Sequence, residues 1–143
     1  MSTIQLVVLA ALGLAAAAYI WRGVKRSLRA DAMFFADLVN QLSPILEAKG
    51  FRLTRNVHMA KSFGHRIATF EGPSFFLDAA WDGRDRDILL LQRPLDQSNV
   101  AAGERLAEAH IRQGASGEEY ARAIGMIVAA ATSVGRSLTS ACS

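Results

Sequence analysis

From Ile4 to Trp21 the chain reads IQLVVLAALGLAAAAYIW, with Gln5 its one strongly polar residue. As a helix this run rises about 27 Å, just enough to span the hydrocarbon core of a bilayer. Tyr19 and Trp21 close it, where amphipathic rings favour the bilayer–water interface. Arg22, Lys25, Arg26 and Arg29 follow at once, and no Lys or Arg precedes the run. By the positive-inside rule, the N-terminus lies outside and the remainder of the chain in the cytoplasm, a single-pass signal-anchor arrangement. The competing pattern is a cleaved signal peptide, with Ala16-Ala17-Ala18 as the small-residue site. Against it stand the lack of a basic residue ahead of the run and the basic cluster where a mature exported chain would begin.

Past the cluster the hydrophobic period changes. Phe34, Leu38, Leu42, Ile45 and Leu46 are spaced by three and four, which predicts an amphipathic helix with Asp31 as its cap. Pro44 predicts a kink, or a restart with Ser43 as cap, and Gly50 the end. Only Gly23 weakens Arg22–Ala30, so the apolar helix is expected to run almost straight into this one. Phe51, Leu53, Arg55 and Val57 then alternate with polar residues, a half-buried strand. Arg66–Glu71, Phe75–Trp81 and Asp87–Arg93 read as further strands, broken by Lys61–Gly64, Gly72-Pro73 and Asp82-Gly83. The last is a hairpin signal, because Asp and Gly both tolerate positive φ. Two helices are expected afterwards, over Asn99–Gln113 and Glu118–Leu138, with Gly114–Gly117 as a flexible break.

The fold class is therefore α+β: an N-terminal transmembrane helix, then an amphipathic helix, an antiparallel meander of three to four strands and two C-terminal helices on one sheet face. Residues 1–29 form the anchor with its basic collar and residues 30–143 a small cytoplasmic domain. At 143 residues, the chain beyond the anchor has about 115, room for one core and not two.

Charge sharpens this picture once it is split by position. The net +3 divides into four cations at 22–29 and, over 30–143, 12 Lys/Arg against 13 acids. Basicity belongs to the membrane junction, which argues against a nucleic-acid footprint. The collar of Arg22, Lys25, Arg26 and Arg29, with Tyr19 and Trp21, is read as a membrane-surface element facing anionic lipid headgroups. A lone Cys142 excludes an internal disulfide. Arg outnumbering Lys and abundant Ala fit bacterial coding, which would make the bilayer an inner membrane.

Candidate chemistry adds little. Asp82-Gly-Arg-Asp-Arg-Asp87 lacks calcium-loop spacing and reads as a solvated hairpin tip with local ion pairs. His58 and His65 could meet across a hairpin, but no third ligand stands near, and no nucleophile or phosphate-loop motif is present. No catalytic residue, metal site or cofactor is expected. Ala121, Gly125, Ala129 and Ser133 recur every four residues in the last helix, a small-residue face suited to close approach by another helix. Gly125 in a helix interior costs about 1 kcal/mol relative to Ala, which such an approach would offset.

The expected role is a membrane-tethered, non-enzymatic accessory or interaction subunit at the cytoplasmic face of a membrane complex, partnered by an integral-membrane protein. One alternative is a small membrane-anchored enzyme or ligand-binding sensor, with His58, His65, Arg66 and Asp78 lining a pocket. Another is a small membrane effector of the toxin type. Topology is directly testable. A cytoplasmic reporter fused after Ser143 should be active and an external one silent, and neutralising Arg22, Lys25, Arg26 and Arg29 should scramble the orientation.

Overall fold

The computed structural model describes residues 3–135. Arg136, Leu138 and Cys142 lie outside them. The chain divides into two compact units, residues 1–33 and 34–143. Helix α1, Thr3–Glu47, contributes to both.

In the first unit the apolar stretch of α1 has a mean hydropathy of 1.8 and none of it is buried. Val7, Val8, Leu9, Leu12 and Leu14 are all exposed. A helix apolar on every side has no stripe to bury against a protein core, and it suits a solvent that is itself apolar. Among the described residues it is the one helix long and apolar enough to cross a membrane.

Two expected interruptions of α1 do not occur. Asp31 does not cap a new helix; it lies inside α1 and is buried. The residues before it are mostly good helix formers, so the first helix never ends. Nor does the chain restart at Ser43, since α1 continues through Pro44 to Glu47. Pro44 removes only the bond its own N–H would give to the Asn40 carbonyl, and the burial of the side chains around it holds the helix through that loss. The Ser43 hydroxyl donates to the Val39 carbonyl at 2.8 Å, and Leu42 and Leu46 on either side are fully buried.

In the second unit five strands form an antiparallel meander in sequence order. They are β1 (Arg52–Met59), β2 (His65–Glu71), β3 (Phe75–Asp82), β4 (Asp87–Pro94) and β5 (Glu104–His110). The mixed α+β class stands, with a fifth strand and one C-terminal helix where the hydrophobic pattern suggested at most four strands and two C-terminal helices. The difference is the stretch expected as a helix over Asn99–Gln113. Asn99 does act as a cap, its side chain accepting from the Ala101 amide at 3.1 Å, but of a single 3₁₀ turn. Gly103 then lies against the Gln92 carbonyl, and β5 pairs with β4. Ala, Glu, Arg and Leu favour a helix by only tenths of a kcal/mol each. Pairing instead satisfies the backbone groups along the edge of β4, and Ala107, Ala109 and Ile111 alternate onto the core side.

A register shift between Leu53 and Arg55 also splits the alternation read in β1. Leu53 pairs with Phe70 on the core face, whereas Arg55 and Val57 pair with Thr69 and Ile67 on the other. An extra residue on one strand of a pair reverses the sidedness of everything beyond it.

Two helices do cover one sheet face, but they are the second part of α1 and helix α2 (Gly117–Ser133). Phe34, Leu38, Leu42 and Leu46 of α1 join Ile124 and Ile127 of α2 over Phe70, Leu77, Trp81, Ile88 and Leu90. The Phe34 ring meets Trp81 edge-on at 5.5 Å and Tyr120 at 5.0 Å. At the far end Lys49 Nζ donates to the Thr132 carbonyl at 2.6 Å and to that of Val134, neutralising the negative end of α2. Strands β1 and β5 are the sheet's edges, carrying exposed Arg52 and Arg55 on one side and Glu104, Arg105 and Glu108 on the other.

The stretch read as a flexible break starts α2 with a capping box. Ser116 Oγ accepts from the Glu119 amide at 3.3 Å, and Glu119 Oε2 accepts from the Ser116 amide at 2.9 Å. The Ser116 amide, and after it the Arg112 guanidinium, hold the Glu119 carboxyl below the usual carboxylate range. A folded-state pKa below the unfolded one gives stability that is present above the unfolded value and lost as pH falls through the folded one. Ser116→Ala should lower stability by about 1 kcal/mol. Glu119→Gln should flatten the acid limb of the stability profile, as read by thermal melts of the full chain in detergent from neutral pH downward.

Candidate functional site

The collar residues lie on an exposed stretch of α1 in the first unit. Tyr19 and Trp21 are 82% and 62% exposed, and Arg22, Lys25, Arg26 and Arg29 are exposed with them. Lys25 Nζ stands 5.3 Å from the Trp21 ring centroid, so cation and ring form one amphipathic patch. One side of such a patch suits acyl chains and the other suits phosphates.

In the second unit the polar side chains gather at one end of the sheet, where the β1–β2 and β3–β4 turns meet. Asp82 Oδ1 accepts from the amides of Arg84 and Asp85 at 2.9 and 3.1 Å, folding the tip over its own carboxylate. The chain returns through Arg86, at φ 59°, whose amide donates to the Asp82 carbonyl at 2.7 Å. Positive φ therefore falls on Arg86 and not on Gly83. Gly83 is needed for another reason: a Cβ there would lie 1.9 Å from the Phe63 carbonyl oxygen. The two turns touch backbone to backbone, and only glycine leaves room.

Arg86 ties this tip to the rest of the unit. Its carbonyl accepts from the Ile111 amide at 2.9 Å, and its Nε donates to the Ile111 carbonyl at 3.0 Å. Nη2 donates to Tyr120 Oη at 3.0 Å, and the guanidinium lies over Trp81 at 5.3 Å. The local ion pairs expected within the tip give way to longer-range ones. His65 Nδ1 faces Asp82 at 3.5 Å, and His110 Nδ1 faces Asp87 at 2.8 Å.

The pocket drawn from His58, His65, Arg66 and Asp78 does not assemble. His58 pairs with Arg66 in register, and Arg66 with Trp81, which places both on the core face. His65 and Asp78 belong to the opposite face. There Asp78, fully buried, accepts from Thr69 Oγ1 at 2.6 Å and from Arg93 Nε at 2.8 Å. Arg93 also donates to the Gln97 carbonyl and lies 4.3 Å from the Phe76 ring centroid. This ion pair holds the chain that leaves β4, and its polar atoms are engaged with one another. Among the described residues no three His, Cys, Asp or Glu side chains converge as metal ligands.

Ala121, Gly125, Ala129 and Ser133 are all exposed, on the side of α2 away from the sheet. Nothing lies within 4 Å of a Cβ placed at Gly125, so within the chain no close approach offsets its cost. Two open grooves flank α2. One of about 450 Å³ lies by Phe75, Leu106 and Val134, and one of about 310 Å³ by His110, Arg122 and Met126. No signal in the spacing of polar residues pointed to the Arg86 cluster; the S-x-x-E motif at Ser116 was readable.

Comparison of the chain with protein-family models, characterised proteins and solved structures finds no match. The two glycines should behave oppositely. Gly125→Ala should raise the melting stability of the full chain by up to about 1 kcal/mol, through helix propensity alone. Gly83→Ala should destabilise it, because the Phe63 backbone must move, and thermal melts in detergent would read both changes.

Proposed function

We propose that the chain is a membrane-tethered, non-enzymatic accessory subunit that positions its sheet-bearing unit at the cytoplasmic face of a membrane complex. The observation that carries this reading is the unburied apolar stretch of α1, followed directly by an exposed aromatic–basic patch. Tyr19 and Trp21 set the depth of the span, and the four cations hold its cytoplasmic side against anionic headgroups. The first eighteen residues stay attached as the anchor, the N-terminus is outside, and the compartment is the cytoplasmic side of an inner membrane.

The non-catalytic part is supported by how the reactive side chains are used. Asp78 and Arg93 engage each other, Arg86 ties the β3–β4 tip to Ile111 and Tyr120, and His65 and His110 each face a carboxylate. The partner in this reading is an integral-membrane protein, one of whose helices packs on Ala121, Gly125, Ala129 and Ser133. Four-residue spacing, full exposure and open space over Gly125 support that contact.

The test is affinity purification of the full chain in mild detergent, comparing wild type with Gly125→Leu. The expected result is loss of a co-purifying membrane protein with no loss of melting stability. An unchanged set of co-purifying proteins would exclude the stripe as the contact.

A further inference from the structure

The joined hairpin tips present a side chain that the fold itself does not use. Phe63 is 67% exposed, yet it sits at φ 54°, a left-handed conformation that bulky residues rarely adopt. An isolated exposed Phe is ordinary. The backbone that carries it is held in place: its carbonyl lies against Gly83 of the neighbouring tip. The Arg84 guanidinium stands 5.7 Å from the ring centroid, and Lys61 is exposed on the same turn. Asp85 is the exposed acid beside them, while Asp82 and Asp87 are taken up by backbone amides and by His65 and His110. A ring flanked by two long cations is the pattern of a side chain that dips below anionic headgroups while its neighbours stay among them.

The tips also lie at the end of the sheet where the chain joins this unit. Phe34, its first residue, packs on Trp81, and Trp81 immediately precedes the β3–β4 turn. The eight-residue strands extend about 26 Å from these tips, so Gly72-Pro73 and the turn after Pro94 lie at the opposite end of the sheet.

We propose that Phe63, with Lys61 and Arg84, forms a lipid-contact surface that inserts into the headgroup region of an anionic bilayer and orients the sheet-bearing unit on it. This rests on the reading of α1 as a membrane anchor, and the experiment separates the two. The full chain is placed in nanodiscs of phosphatidylcholine and phosphatidylglycerol brominated near the top of one acyl chain, and tryptophan fluorescence is compared with unbrominated discs. Trp21→Phe leaves buried Trp81 as an unquenched baseline. Adding Phe63→Trp to it should restore a quenched component. Further addition of Lys61→Glu and Arg84→Glu should remove that component. Quenching of Trp21 without quenching of the introduced indole overturns the inference and leaves the anchor standing. Absence of quenching in both overturns anchor and inference together. Persistence of the component after charge reversal overturns the role of anionic lipid.

Discussion

Arg86 stands at the corner where the β3–β4 turn, the end of β5 and the start of α2 meet, and its guanidinium touches all three. Through Ile111 it fixes where β5 ends, and through Tyr120 it fixes how α2 begins. Trp81 lies beneath it, and Phe34 packs on Trp81 and Tyr120 together. The aromatic group gathers α1, β3 and α2 by shape, and the guanidinium supplies direction by hydrogen bonds. An Arg in the left-handed region is uncommon, and it persists here because the donors and acceptors around it fit that one conformation.

The two faces of the sheet solve different problems. One is closed by two helices over a mainly apolar core. The other has no helix over it among the described residues, and its centre is filled by a carboxylate–guanidinium pair with Thr69 and Phe76 around it. A buried pair of this kind contributes little net energy when intact, yet an uncompensated Asp78 would cost about 3–5 kcal/mol. The pair thus acts as a registration device, coupling β2, β3 and β4 to the chain that leaves β4.

Legibility in the sequence followed the strength of the local signal. The apolar run, the aromatic–basic junction and four strands were visible because their patterns span many residues. The fifth strand was not, because ERLAEAH favours a helix by composition and becomes a strand only beside the unsatisfied edge of β4. Its alternation of Ala107, Ala109 and Ile111 was readable in principle. The phase change in β1 depends on one extra residue, which no periodicity announces. At the tips, Asp82-Gly83 was read correctly as a turn but for the wrong cause, since the glycine answers to Phe63, twenty positions earlier in the chain. Arg86 was invisible as a keystone, because its partners are distant in sequence.

Among the described residues the sheet ends on two strands paired on one side only, and the proposed tethering changes what those edges risk. A protein confined to a membrane plane meets its own copies at far higher effective concentration, and with fewer orientations to search, than the same protein free in solution. An open strand edge is a template for pairing with another open edge. The charges on β1 and β5 therefore do more than keep the unit hydrated. Arg52 and Arg55 along one edge, and Glu104, Arg105 and Glu108 along the other, would have to give up water wherever that edge paired with another copy. On the proposed anchoring, crowding in two dimensions would otherwise favour such pairing, and the chain carries its protection against it on the strands that end the sheet.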